Sequence, residues 1–167
     1  IRTVIILQTS PTKITVMQST KSNLLFKSKS GQLIIELDGD VIICTLGNIR
    51  AAGVQEYLDY ISQVGNLIKE SQSGKVLADI TNMTNYDISI RAAAVKMLPE
   101  RLLSKASYFV LAVVKGKSLF ENLSMQASIA ASKPLSKKFL DGKMFDTRAD
   151  ALEWLKAFPI PAEFTKV

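Results

Sequence analysis

The chain contains no histidine and only one cysteine. Without histidine it lacks the commonest general base and the commonest metal ligand, and no Ser-His or Cys-His catalytic arrangement can be built. The lone Cys44 lies in the apolar run VIICTL, so one chain can form neither a disulfide framework nor a thiolate metal cage, and a buried thiol is expected. Long apolar runs are missing as well: nothing approaches the roughly 20 uninterrupted apolar residues of a membrane helix. The opening IRTVIILQTS is short and lacks a small-residue cleavage site, so it reads as a strand and not as a signal. These absences predict a cytoplasmic protein with no membrane span, no metal and no cofactor.

Only 8 Gly and 5 Pro occur among 167 residues, of which 47% are apolar and 22% charged. That is a globular composition, sufficient for one domain with a core of ordinary size. The net charge of +6 is unevenly spread. Residues 1–30 hold five basic side chains and no acidic one, and residues 105–143 hold seven basic and two acidic. Nearly all of this charge is lysine scattered among Ser and Leu, without the aromatic platforms or arginine-rich helix of a nucleic-acid face. A solvated surface is the expectation, and nucleic acid is not an expected partner.

Residues 1–30 read as a β-rich arm, with short strands over 2–7 and 14–17 and a third at Leu24-Leu25-Phe26. From Leu33 the pattern sharpens into two β-rich runs joined by Asp38-Gly39-Asp40, a hairpin signal of the type I′ kind. Asn48 then offers an N-cap to a helix over 49–70, with Val54, Leu58, Ile61, Val64 and Ile68 on one face. A buried strand over 76–80 leads through a polar turn into a second helix near Asp87, carrying Ile88, Ala92, Val95 and Leu102 on one face and interrupted at Pro99. ASYFVLAVV, residues 106–114, reads as a strand covered on both faces.

Lys115-Gly116-Lys117-Ser118 looks like the end of a phosphate-binding loop, but the glycine needed five positions before Gly116 is Leu111. Ser118 and Glu121 form a capping box instead, heading a helix over 119–132 whose start, flanked by Lys115 and Lys117, would welcome an anion. A short strand at Met144-Phe145 precedes a last helix capped by Thr147 and Asp150, with Trp154 as a core anchor and Pro159 as its stop. A loosely held tail over 159–167 closes the chain. From residue 33 the order is β-β-α-β-α-β-α-β-α: a single α/β domain over 31–158, with an open mixed sheet and about four helices.

That order, with two local stretches, resembles the STAS domain in its stand-alone SpoIIAA-like form. KMFDTRADALEWLKAF is similar to the ending of those proteins through Phe145, Ala151, Trp154 and Leu155, and VLADITNMTNYDISIRAAA resembles their central strand, turn and helix. The resemblance implies a non-catalytic module that works by binding a protein partner or itself, as a homodimer with the N-terminal arm supplying edge pairing. In the anti-sigma antagonists of the family an Asp-Ser-Ser-Gly motif opens this helix and its second serine is phosphorylated. Here the motif falls on Asp87-Ile88-Ser89-Ile90, where Asp87 and Ser89 match and the first serine and glycine do not. Local capping explains the same residues.

The partner-binding or regulatory residues expected from this reading are Thr84, Asp87, Ser89 and Arg91, and Lys115, Lys117 and Ser118 are the expected anion contacts. The alternative is a binder of a small lipophilic ligand, since SpoIIAA-like sheets resemble lipid-transfer folds with an apolar cleft between sheet and helices. Phe109, Phe120, Met125, Met97 and Phe139 would line such a cleft. An enzyme is not expected: Asp79, Asp87, Glu100, Lys96 and Arg91 lie near the same edge, but no spacing among them specifies a metal site or an acid/base pair.

Overall fold

The computed structural model describes residues 23–165, with the side chains of 94–99 and 135 excepted; the strands expected over 2–7 and 14–17 and the side chains of Val95, Lys96 and Met97 lie outside the described residues. Six strands alternate with four helices: β1 (Asn23–Lys27), β2 (Leu33–Asp38), β3 (Val41–Leu46), α1 (Ile49–Ser71), β4 (Lys75–Asp79), α2 (Ile88–Leu98), β5 (Phe109–Val114), α3 (Leu119–Leu135), β6 (Phe139–Phe145) and α4 (Arg148–Ala157). A π-helical turn, Pro99–Leu103, follows α2 at the proline where a kink or a fresh turn was expected. No helix among the described residues is long and apolar enough to cross a membrane.

The strands form one mixed sheet in sequential order, antiparallel from β1 to β3 and parallel from β3 to β6. A sheet that adds each parallel strand beside the last through right-handed crossovers keeps all crossover helices on one face. Accordingly, side chains of α1, α2 and α3 share one core with the sheet, while α4 covers the opposite face. The strands divide between the two cores with the period of two that pleating dictates. Ile42, Cys44 and Leu46 of β3 face α1, and Val41 and Ile43 face α4. Because the strand order never reverses, the sheet lacks the switch-point crevice where open α/β sheets usually bind ligands. An opening can arise only between the sheet and the helices.

Several local expectations change. In the β2–β3 turn only Gly39 has a positive φ, at 62°, so the two-residue loop Gly39-Asp40 follows the II′ pattern and not I′. Asn48 caps α1 through its side chain, as expected, but Gly53 leaves helical geometry (φ 79°, ψ 164°) and the apolar stripe begins afresh at Tyr57. Val54, expected on the buried face, is therefore exposed, and the stripe runs through Tyr57, Tyr60, Ile61, Val64 and Ile68. Gly65 lies on this stripe, and its missing side chain admits the backbone carbonyl of Arg101 from the π-helical turn.

Ile88, also expected to be buried, is 84% exposed; the first turn of α2 buries Ile90 instead. Helix α3 runs through Pro134 to Leu135, beyond the expected stop at 132. Trp154 is half-buried between Phe145 and Phe158, with ring centroids 5.4 and 5.2 Å away. The tail is better held than expected, since Ile160 and Phe164 pack against the α4 core.

Candidate functional site

The crossover helices do not close over the sheet. Helix α1 packs on β2, β3, α2 and the π-helical turn, whereas α3 packs on β6. Between them, above β3, β4 and β5, lies a cavity of about 330 Å³. Its floor is Cys44 and Leu46, Val76 and Ala78, and Phe109 and Leu111, one pair from each strand. The stripe of α1 forms one wall through Tyr57, Tyr60, Ile61 and Val64, and Met125 and Ile129 of α3 form the other. The small side chain of Ala78 at the centre of the floor is part of why the space exists.

Away from one end the interior carries no charge, and its polar groups are the Cys44 thiol, the Tyr57 and Tyr60 hydroxyls, and Ser128 and Ser132 of α3, whose hydroxyls donate to backbone carbonyls of their own helix. Burial pushes the Cys44 thiol up to about 12, against a hydrogen bond from Tyr60 that pulls it down. Burial likewise raises the Tyr57 and Tyr60 phenols well above the ordinary tyrosine value, so all three groups are neutral at physiological pH. Tyr60 donates to the carbonyl of Ile34 at 3.4 Å, and the hydroxyls of Tyr57 and Tyr86 lie 3.4 Å apart. Among the described residues, every fully buried side-chain nitrogen or oxygen has a hydrogen-bond partner. The walls therefore offer an apolar ligand contact without stranding a polar group.

Charge enters at one end only, where Arg91 of α2 reaches Glu121 of α3 at 2.5 Å. The guanidinium engages each of its three nitrogens once, leaving two N–H groups: besides the bond to Glu121, Nε donates to the carbonyl of Tyr86 at 2.8 Å and Nη1 to Ser124 Oγ at 3.0 Å. Its plane also lies 4.9 Å from the ring centres of both Tyr86 and Phe120. Glu121 was expected to complete a capping box with Ser118. Ser118 Oγ does accept from the Glu121 N–H at 3.3 Å, but the carboxylate turns to Arg91.

Tyr86, Arg91 and Glu121 also line an outer groove with Arg50, Asp87, Ile88 and Phe120. They thus stand between the cavity and the surface.

The other expected site residues have local duties. Thr84 bridges to Asn48 through its backbone, and its side chain is exposed. Asp87 accepts from the Ile90 N–H at 3.2 Å and from Ser89 Oγ at 2.6 Å, which caps α2. The Ser89 hydrogen bond is the main reason the Asp87 carboxyl is held below the ordinary value, with Ile90 and Arg50 adding to it. A phosphate on Ser89 would stand against this carboxylate and be repelled. Lys115 pairs with Asp146 at 2.8 Å, and Ser118 serves as the α3 cap. Of the four expected contact residues, Asp87, Ser89 and Arg91 line the outer groove together and Thr84 does not, while of the anion contacts Lys115 turns to Asp146 and Ser118 to the start of α3.

Of the residues expected to line a cleft, Phe109 and Met125 do so. Phe139 is buried behind Phe109, at 6.0 Å between rings, and Phe120 lies at the rim, 68% exposed. Asp79 accepts from the Thr81 N–H at 3.0 Å and so stabilises a turn, while Glu100 is exposed on the π-helical turn. Among the described residues no cluster of Cys, Asp and Glu could hold a metal ion. Comparison with protein-family models, with curated proteins and with solved structures found no match to this chain.

Proposed function

We propose that this chain is a STAS-like binding module whose cavity holds a small, largely apolar ligand, with the Arg91–Glu121 pair meeting the ligand's polar end. The observation that carries the reading is the cavity itself: an apolar space of about 330 Å³ between the sheet and α1 and α3, with its buried polar atoms already satisfied and its charge confined to one end. The space sits at the lower end of the roughly 300–1,000 Å³ typical of ligand pockets. Scaling from the ~150 Å³ apolar cavity that takes up benzene, it suits roughly a dozen carbon atoms.

The polar end favours a neutral head group. Arg91 and Glu121 offer a donor and an acceptor side by side with no net charge, which suits a hydroxyl, amide or protonated acid. The protein-contact reading of Thr84, Asp87, Ser89 and Arg91 has less to support it, because Asp87 and Ser89 bond to each other and Arg91 turns inward.

Native mass spectrometry of the freshly purified full chain tests the proposal. A discrete small organic mass that is lost on denaturation is the expected result. A bare chain that also fails to take up added medium-chain alcohol would overturn it.

A further inference from the structure

Of the seven large hydrophobic side chains exposed among the described residues, four stand together where α2 and α3 begin: Ile88 (84%), Leu119 (74%), Phe120 (68%) and Leu123 (56%). Leu119 and Leu123 are one helical turn apart, as are Phe120 and Leu123, so they share a face of α3. Ile88 and Phe120 share the outer groove that leads to Arg91 and Glu121. Leu119 and Leu123 line a neighbouring depression, and exposed apolar side chains grouped in this way mark a contact surface.

Its surroundings are basic. Lys115 and Lys143 line the depression that holds Leu119 and Leu123, and Lys117 lies two residues before Leu119. The nearby acids are engaged: Asp146 pairs with Lys115, Asp87 with Arg50 and Glu121 with Arg91. Among the described residues Lys117 forms no ion pair, which leaves the rim net positive; the Lys143 ammonium lies instead 5.2 Å from the Phe145 ring centre, on the α4 side of the sheet.

We infer that this end of the molecule docks on an anionic lipid bilayer, with Leu119, Phe120, Leu123 and Ile88 entering the interfacial layer and the lysines meeting acidic head groups. Apolar side chains with lysines around them, presented together, are what the interface of an acidic membrane accepts. The cavity gives the second argument, and this part rests on the ligand reading: a ligand nearly insoluble in water exchanges most readily with a bilayer, and the patch adjoins the cavity's polar end.

Flotation of the full chain with vesicles of phosphatidylcholine alone, or mixed with phosphatidylglycerol, tests the inference. Binding is expected to the mixed vesicles, with at least about a tenfold loss on phosphatidylcholine alone or in high salt. Leu119→Ser with Leu123→Ser, at exposed positions the fold does not use, should abolish binding. Lys115→Gln with Lys117→Gln should remove the preference for phosphatidylglycerol.

Equal flotation of wild type and both double variants, or none by wild type, would overturn the inference. So would a wild-type dimer in light scattering that the serine variant dissociates, since that assigns the patch to a second copy. Ala78→Phe separates this inference from the ligand reading, because filling the cavity should leave flotation unchanged, while the serine variant should still bind a medium-chain alcohol.

Discussion

Arg91 and Glu121, thirty residues apart in sequence, meet at 2.5 Å across the end of the cavity and tie α2 to α3. Their side chains are only 22% and 14% exposed. Breaking such a pair leaves one charge poorly solvated, whereas replacing both members with apolar groups does not. Arg91→Met or Glu121→Met alone should therefore cost about 3 kcal/mol in urea unfolding. The double variant should be more stable than the sum of the singles implies by about 1–2 kcal/mol. Simple additivity would show that the pair does not act as a unit.

Cys44 gives a chemical reading of the cavity floor. Thiolate is the reactive form, and burial pushes this thiol up to about 12. In native protein at about pH 8, iodoacetamide should leave Cys44 unmodified, while in urea it should alkylate at the rate of an ordinary thiol. Rapid labelling of the native chain, followed by intact mass, would mean that the floor is open to water.

The cap of α2 predicts a pH dependence. Asp87 is held below the ordinary carboxyl value chiefly by the Ser89 hydroxyl, so the folded state binds this proton less readily than the unfolded state. Its stabilising effect is complete above the unfolded value near 4 and is lost as pH falls through the lower folded value. Asn at this position can still cap but does not titrate. The gap in urea midpoint between wild type and Asp87→Asn should therefore shift against wild type on acidification below about pH 4. A gap that stays constant from neutral to acid pH would remove Asp87 from the account.

The parts of the fold legible in the sequence were those written in adjacent residues. Asp38-Gly39-Asp40 marked a hairpin, and Asn48, Ser118 and Thr147 marked helix starts that all carry side-chain caps. The element order from residue 33 followed from them. Even there, Gly39 permits two turn types, and only the backbone distinguishes them. Ile88 misled because helical periodicity identifies a stripe without saying where it begins; Ile90, two residues on, is the buried one.

The site was less legible, because a cavity is a gap among residues from seven elements and no local pattern encodes it. Phe109 and Met125 were recognisable as apolar candidates, whereas Tyr57 and Tyr60 fell off the expected α1 stripe and nothing local singled out Ala78. Glu121 carried a clear signal for capping, and that local explanation hid its long-range partner. Arg91 was named for the surface role its neighbourhood suggested, whereas its fork turns to Tyr86, Ser124 and Glu121.

Titration of 1-decanol into wild type and Ala78→Phe by isothermal calorimetry tests the central claim most directly. Ala78 faces about 330 Å³ of space, so the phenyl group should fill the cavity and avoid the ~1–3 kcal/mol penalty of overpacking a closed core. Wild type should bind one alcohol per chain with a negative heat-capacity change, and Ala78→Phe, equally folded, should bind none. Equal binding by the two proteins, or none by wild type, would contradict the assignment of this cavity as a ligand site.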